Sequence, residues 1–175
     1  MLPESPASAA RRSGLRWLLL GVLLLAGCRA DQATKAWARV SIQEQPLTLV
    51  PHVLEFRYAE NRAIAFSMFH ELPDRFRVPL IFGLTSLAMA ALLSLIWSMR
   101  RQSAVRLLPL ALILAGALGN LIDRLAHGFV IDFVHVHWRE RWSFPIFNLA
   151  DSLITVGMAL FFIEFIFRPE AKRIP

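Results

Sequence analysis

The sequence predicts a mainly α-helical membrane protein with four transmembrane helices, a small extracytoplasmic β-rich segment and a short amphipathic outward connection. Two observations favour this fold class. Hydrophobic residues make up 56% of the chain and charged residues 18%, whereas ordinary soluble domains contain about 45–50% apolar and about 25% charged residues. Four stretches, at 17–28, 78–99, 107–122 and 143–163, are also free of charged residues except for Asp151 in the last. A chain of 175 residues is expected to form one domain, and its hydrophobicity excludes a disordered protein.

The first and third of the charge-free stretches are shorter than the about 20 residues that a membrane-crossing helix needs. The third reaches this length if it extends past Asp123. The first reaches it only with Asp31 and Lys35 inside the helix, where a spacing of four residues lets them pair on one face. We therefore predict a single domain over residues 1–175, with a cytoplasmic tail at 1–14 and spans at 15–37, 78–99, 105–123 and 146–167.

Basic residues predict the orientation, because Lys and Arg concentrate in cytoplasmic flanks. They precede the first span, separate the second from the third, and follow the fourth: Arg11, Arg12, Arg16, Arg100, Arg101, Arg106, Arg168, Lys172 and Arg173. These groups fall on one side of the membrane only if there are four crossings. Both termini are then cytoplasmic, and residues 38–77 and 124–145 face outward. The net charge of +6 is thus explained by topology, and no nucleic-acid partner is expected.

The outward segments are predicted to contain extended structure. Residues 40–57 are rich in β-branched side chains and are interrupted by Pro46 and Pro51, which indicates short strands joined by turns. A small sheet on the membrane surface fits this pattern. Residues 129–138 are also extended or amphipathic, and they contain Asp132.

Amide and ionisable side chains gather near the predicted outer ends of the third and fourth spans. The group consists of Asn120, Asp123, Arg124, Asp132, Asn148 and Asp151. Ionisable groups at membrane depth are costly and mark functional sites. Two carboxylates brought close share one proton, so one member can activate a water while the other protonates a leaving amine. The group therefore favours peptide-bond hydrolysis without a metal.

Structural interpretations of the same residues remain open. Asp123 and Arg124 can form an interfacial ion pair, and Asp132 alone can be an ordinary loop acid. Asp151 follows the start of the last uncharged run by eight residues, which is deeper than a helix cap is expected to lie. A small transporter or assembly factor would instead use its aspartates as a proton relay, but a relay needs carboxylates at the bilayer midplane, whereas Asp132 is predicted at the surface.

A metal site is a further alternative. His135 and His137 share one face of a strand. Together with Asp132 and Asp151 they would supply ligands for a metal ion. The single cysteine, Cys28, excludes an internal disulfide framework and a cysteine zinc cluster.

Five sequence blocks occur in order along the chain. They are DQATK at 31–35, NRAIAFSMF at 61–69, AGALGNLIDR at 115–124, GFVIDF at 128–133 and FPIFNLADSLITVG at 144–157. Together they resemble the type II lipoprotein signal peptidase family. The resemblance extends over about residues 17–168, nearly the whole chain.

The resemblance implies a membrane-embedded aspartic endopeptidase, with Asp132 and Asp151 as the catalytic pair. Such an enzyme removes the signal peptide from diacylglyceryl-modified prolipoproteins by cutting on the N-terminal side of the lipidated cysteine. The resemblance further implies substrate-binding roles for Asn61, Gly116, Asn120, Arg124, Asn148 and Ala150, and supporting roles for Asp31, Lys35 and Asp123. It also implies a bacterial inner-membrane location with the site near the outer face, contacts with membrane lipids, and inhibition by globomycin-type compounds. We expect a monomer that needs no metal or organic cofactor.

The chain departs from the family pattern at three positions. Ala63 and Ile64 stand where the family usually has Gly and Ala, and Ala115 stands where another Gly is usual. Ala63 loses conformational freedom, and Ile64 adds bulk near the expected substrate channel. We expect activity to be retained and substrate preference or inhibitor sensitivity to change.

A lipobox-like sequence near the N-terminus suggests a rival interpretation. Leu25 to Cys28 reads LAGC after a 12-residue apolar run, which is a length typical of a signal peptide. The chain would then itself be a lipoprotein precursor. Cleavage before Cys28 would remove the first span and place the basic ends on opposite sides, so we prefer the four-span enzyme.

Overall fold

The structure, a computed structural model, describes residues 6–62, 73–139 and 141–167. Its elements are α1 (Pro6–Ser41), β1 (Leu47–Val50), β2 (Leu54–Asn61), α2 (Asp74–Ser98), α3 (Ala104–His127), β3 (Val130–Trp138), β4 (Trp142–Ser143) and α4 (Leu149–Ile166). The strands form one antiparallel sheet in the order β1-β2-β3-β4. The predicted combination of a mainly helical protein with a small sheet is therefore confirmed.

Three helices within these ranges are long and apolar enough to cross a membrane. They are Arg75–Ser98 of α2, α3 and α4, with mean hydropathies of 2.1, 1.9 and 1.9. α1 is 36 residues long, but its second half contains Arg29, Asp31 and Lys35, and it is not among the three. Helices able to span the membrane are thus confirmed, and the count of four spans stays a prediction.

α3 is the central helix, because it packs against α1, α2 and α4. Within its most apolar stretch 39% of the residues are buried in the protein, compared with 6% for α2. Small residues let α4 approach it closely. A Cβ atom at Gly157 would lie 2.7 Å from the Pro109 carbonyl oxygen, and one at Gly116 would collide with the Ala150 carbonyl oxygen. The α3–α4 contact therefore depends on backbone-to-backbone packing.

One departure from the family pattern lies in the contact between α1 and α3. Ala115 is fully buried, and a Cβ atom at Gly27 would stand 3.2 Å from its methyl carbon. The glycine on α1 thus leaves room for the methyl group on α3. The other two departures, Ala63 and Ile64, lie outside the described residues.

Strand register brings together residues that are distant in the sequence. In the β2–β3 pair, Glu55 lies opposite His135 and Ala59 lies opposite Asp132. The strands fall at 47–50, 54–61 and 130–138. Short strands are predicted within 40–57 and an extended or amphipathic stretch at 129–138; both regions form strands, and β2 continues past residue 57 to Asn61.

The sheet is attached to the C-terminal end of α1 by a hydrophobic cluster. Ala38, Ile42 and Phe133 are its buried members. The Trp37 ring makes edge contacts with Phe56 and Phe133, at centroid distances of 5.5 and 6.2 Å. This packing fixes β3, and with it Asp132, relative to the helices.

Candidate active site

The turn from α3 into β3 determines where Asp132 lies. α3 ends at Gly128, whose φ of 80° is left-handed and favours glycine, and whose N–H donates to the Arg124 carbonyl at 3.0 Å. Two residues into the strand region, the Ile131 N–H donates to the Asp123 carboxylate at 3.0 Å. The strand enters the protein interior at this end, and Asp132 is 2% exposed.

The first turn of α4 positions Asp151. Asn148 is the N-cap, its side-chain oxygen accepts from the Asp151 N–H at 2.9 Å, and the Asp151 carboxylate accepts from the Asn148 N–H at 3.2 Å. This reciprocal arrangement is a capping box. The expectation that Asp151 lies deeper than a cap is therefore wrong, because the chain stays extended through Asn148 and the helix begins only at Leu149.

Asn148 contacts both aspartates and is fully buried. Its side-chain N–H₂ donates to Asp132 Oδ1 at 2.6 Å and to Asn120 Oδ1 at 3.1 Å. Asn120 in turn donates to Asp151 Oδ1 at 2.8 Å. Asn61, at the end of β2, donates to Asp132 Oδ2 at 2.9 Å. Amide groups from α3, β2 and the α4 cap thus hold the two carboxylates in one network.

Burial raises the pKa of Asp132 from 3.8 to about 7. Hydrogen bonds from Asn61 and Asn148 oppose this rise, and the Asp151 charge adds to it. Asp132 therefore holds a proton up to near-neutral pH. Because its pKa is higher in the folded than in the unfolded state, its contribution to stability is present in acid and is lost as the pH rises through about 7.

A second cluster lies beside the first. Lys35 Nζ is 2.8 Å from Asp31 Oδ2, 3.0 Å from Asp123 Oδ2 and 2.9 Å from Asn120 Oδ1. All three charged side chains are at most 2% exposed. Asp31 Oδ1 also accepts from the Ala150 N–H at 2.9 Å. This ion cluster, composed of Asp31, Lys35 and Asp123, ties α1 to α3 and to the first turn of α4.

The other predicted substrate-binding residues lie around this network. Arg124 Nη1 donates to the Asn120 carbonyl at 3.3 Å. Gly116 and Ala150 face each other where α3 crosses α4, and Ala150 is fully buried. The roles of these residues toward a substrate stay predictions.

Asp123 forms an ion pair with Lys35 at 3.0 Å, and its pairing with the adjacent Arg124 stays a prediction. The metal site is not supported, because its proposed ligands do not come together. His135 and His137 follow Asp132 at odd spacings along β3, so they project from the opposite face. The acidic group beside the histidines is Glu55, at 2.9 Å from His135 Nδ1.

Sequence reasoning missed two residues and one local motif of this region. Gln32 donates to Asp123 Oδ1 at 2.9 Å and to the Gly119 carbonyl at 3.2 Å, although it lies inside the first sequence block. Glu55 joins His135 only through strand register. The capping box was signalled by Asn148 followed three residues later by an acidic side chain, a pattern that marks helix starts.

Comparisons with known proteins agree on one family. The family described as Signal peptidase (SPase) II matches residues 23–167. A protein of Pseudomonas fluorescens strain Pf0-1, named lipoprotein signal peptidase, is 39% identical over 158 residues, covering 89% of each chain. A protein of the same name from Clostridium tetani is 32% identical over 144 residues, covering 81% of this chain and 88% of that one.

The fold has a counterpart among solved structures. A bacterial membrane enzyme determined by the in meso method superposes with a TM-score of 0.71 at 26% identity. The match covers 90% of this chain and 93% of that one.

Proposed function

This chain belongs to the signal peptidase II family, and we propose that its Asp132 and Asp151 hydrolyse the signal-peptide bond of prolipoproteins by activating a water between them. The enzyme is an aspartic peptidase of the multi-pass inner-membrane class that removes signal peptides from prolipoproteins. The observation that best supports this pair as catalytic is the contact of a single residue, Asn148, with both carboxylates. That contact ties both acids, one on β3 and one in the first turn of α4, to the same residue.

The two carboxylates have different roles in the proposed reaction. Asp132, with its pKa raised to about 7, supplies the proton, and Asp151 is the base. Asp151 takes a proton from water as its oxygen attacks the scissile carbonyl carbon, and Asp132 protonates the carbonyl oxygen. As the C–N bond breaks, Asp151 passes its proton to the leaving amine and Asp132 recovers a proton from the intermediate. The products are a carboxylic acid and an amine, and the pair returns to its starting state.

The substrate is a prolipoprotein carrying diacylglyceryl on its future N-terminal cysteine, cut on the N-terminal side of that cysteine. The lipid contributes about 0.8 kcal/mol per buried CH₂ group, which keeps the scissile bond at the depth of the membrane surface. Asn120 and Asn148 orient the substrate backbone, and Arg124 binds a carbonyl group. Globomycin-type inhibitors occupy the same site.

We further propose that α1 is the fourth span, that both termini are cytoplasmic and that the aspartate pair faces outward. The Arg16 guanidinium at the start of α1 donates to the carbonyls of Gln102 and Arg100 in the α2–α3 connection. These two basic segments therefore share one end of the helices. Asp31 and Lys35 do not face lipid, because they are buried and paired in the ion cluster.

Cysteine labelling tests this topology. In a Cys28→Ser background, single cysteines replace Ser13 and His52, on either side of the span proposed for α1. An impermeant maleimide applied to intact spheroplasts should label position 52 and should label position 13 only after lysis. Equal labelling of both positions would show that α1 does not cross.

Cleavage assays test the mechanism. Purified protein in detergent with EDTA is given a diacylglyceryl-modified prolipoprotein, and the wild type is compared with Asp132→Asn and Asp151→Asn. We expect each substitution to lower the cleavage rate by about 10²–10⁴-fold, the usual contribution of a general acid or base. Glu60→Gln, which removes an exposed acid of β2, is the matched control and should cleave normally.

Two results would contradict the proposal. Substantial cleavage by both aspartate variants would place the catalytic groups elsewhere. No cleavage by well-folded wild type would return the transport interpretation to consideration.

A further inference from the structure

A cluster of two histidines and a glutamate lies on the sheet, on the face turned away from Asp132. Glu55, His135 and His137 each offer one ligand atom, and these atoms all lie within 4.8 Å of one another. All three side chains are partly exposed. The proposed peptidase mechanism does not use any of them.

Backbone geometry fixes the arrangement. His135 and His137 are two residues apart on β3, so they share a face, and their rings stack at a centroid distance of 4.8 Å with an interplanar angle of 16°. Glu55 is the register partner of His135 on β2. Ligands held on paired strands need little reordering to converge, which lowers the entropic cost of binding.

Each of the three side chains also contacts a further polar group nearby. Glu55 Oε1 contacts Arg57 Nε at 2.8 Å, His135 Nε2 contacts Ser143 Oγ at 2.8 Å, and His137 Nδ1 contacts the Arg139 carbonyl at 3.3 Å. Such outer partners fix the orientation of metal-binding imidazoles.

We infer that Glu55, His135 and His137 bind one zinc ion on the outer face of the sheet. Two imidazoles and one carboxylate are a ligand set that Zn²⁺ accepts, with water in the fourth position. A zinc bound at about 2.1 Å by each ligand requires donor atoms about 3.4 Å apart. The ligand atoms lie within 4.8 Å of one another. Side-chain rotations that move them by roughly an ångström would bring them to the distance that zinc requires.

The ion would join β2 to β3, the two strands that also carry Asn61 and Asp132. β2 ends at Asn61 and β3 contains Asp132, which are hydrogen-bonded to each other. Zinc therefore restrains the two strands that supply this contact, without touching the carboxylates.

Titration of tag-free, metal-free protein with Zn²⁺ tests the inference, monitored by calorimetry and by competition with a chromophoric zinc indicator. We expect one ion per wild-type chain. His135→Ala and His137→Ala should each weaken binding by more than about tenfold, because even the outer partners of zinc ligands contribute 10–100-fold. His127→Ala, which removes an exposed histidine at the end of α3, is the matched control and should bind as the wild type does.

X-ray absorption of zinc-loaded wild type adds a readout that requires no variant. It should show two imidazole nitrogens and carboxylate or water oxygens around the ion. Amide exchange should also slow in residues 54–61 and 130–138. Equal affinity in all four proteins, an absence of saturable binding to wild type, or an all-oxygen shell would each overturn the inference. Cleavage in EDTA is independent of it, so the peptidase proposal stands or fails separately.

Discussion

Two groups of aspartates lie side by side in this protein, and they differ in the partners that hold them. In the ion cluster, the Lys35 ammonium lies between the Asp31 and Asp123 carboxylates at 2.8 and 3.0 Å. In the proposed catalytic pair, Asp132 and Asp151 accept hydrogen bonds from amide groups. Asn120 belongs to both groups, because its Oδ1 accepts from Lys35 and its Nδ2 donates to Asp151.

The difference fits the proposed function, in which aspartates of the ion cluster are structural and those of the other group are reactive. An ammonium between two carboxylates pairs with both of them, so the ion cluster holds α1 against α3 and the first turn of α4. Amides orient a carboxylate and leave it free to take up a proton, which general acid–base chemistry requires. We therefore expect changes to the ion cluster to affect mainly stability, and changes to the amides to affect mainly rate.

The largest expected effect comes from Lys35→Met. This change leaves the Asp31 and Asp123 carboxylates buried without their cation, and breaking a buried ion pair in this way costs about 3–5 kcal/mol. Thermal unfolding in detergent measures the loss. Arg29→Met, an exposed cation on the same helix, should unfold like the wild type. Adding Asp123→Asn to Lys35→Met should recover part of the stability, and an unchanged unfolding temperature in the single variant would contradict the structural role.

Asn148→Ala is expected to lower the cleavage rate by about 100-fold, as loss of a preorganised active-site donor does. It should also destabilise the protein by about 1 kcal/mol through loss of the N-cap. Asn148→Ser separates the two effects, because serine retains the cap acceptor but cannot donate to both Asp132 and Asn120. Cleavage and unfolding measured together should show stability restored and rate still low. Recovery of both in the serine variant would assign Asn148 to capping alone.

Gly116→Ala should destabilise both groups together, because the added methyl collides with the Ala150 carbonyl oxygen. Overpacking of this kind costs about 1–3 kcal/mol, to be read from thermal unfolding. Gly83→Ala on α2 is the matched control, since a Cβ atom there meets nothing within 4 Å. Equal unfolding temperatures in the two variants would contradict the close α3–α4 packing.

The smallest effect concerns the pH dependence of cleavage. Asn61 donates to the Asp132 carboxylate and lowers the pKa of that group. In Asn61→Ala this stabilisation of the charged form is lost, so the pKa of Asp132 rises above its value of about 7. Asp132 then keeps its proton to higher pH, and the alkaline limb of the pH–rate profile should move upward. A shift to lower pH, or none, would contradict the proton-donor role of Asp132.

The sequence predicts contacts between residues close along the chain better than it predicts contacts between residues on different elements. A spacing of four residues suffices to pair Asp31 with Lys35, and the pairing is confirmed at 2.8 Å. The ion pair between Lys35 and Asp123 joins α1 to α3. It depends on how these two helices pack, which no local sequence pattern encodes. The contact of Glu55 with His135 likewise depends on strand register.

The start of α4 shows why hydropathy alone misplaces a helix. The uncharged run begins at Ser143, but it includes Pro145 and an extended Asn148 before the first helical residue. A charge count therefore places Asp151 well inside the span, whereas the capping pattern places it in the first turn. Local hydrogen-bonding chemistry locates this residue, and hydrophobicity does not.

The hydrogen bonds at the cap of α4 also leave few residues that could replace Asn148. The Asn148 side chain accepts a hydrogen bond from the Asp151 N–H and donates one each to Asp132 and Asn120. Aspartate would lack the donors, glutamine is one methylene longer in a fully buried position, and serine has a single donor. Each of these replacements would therefore disturb the hydrogen bonds through which this one residue joins the helix cap to the two carboxylates.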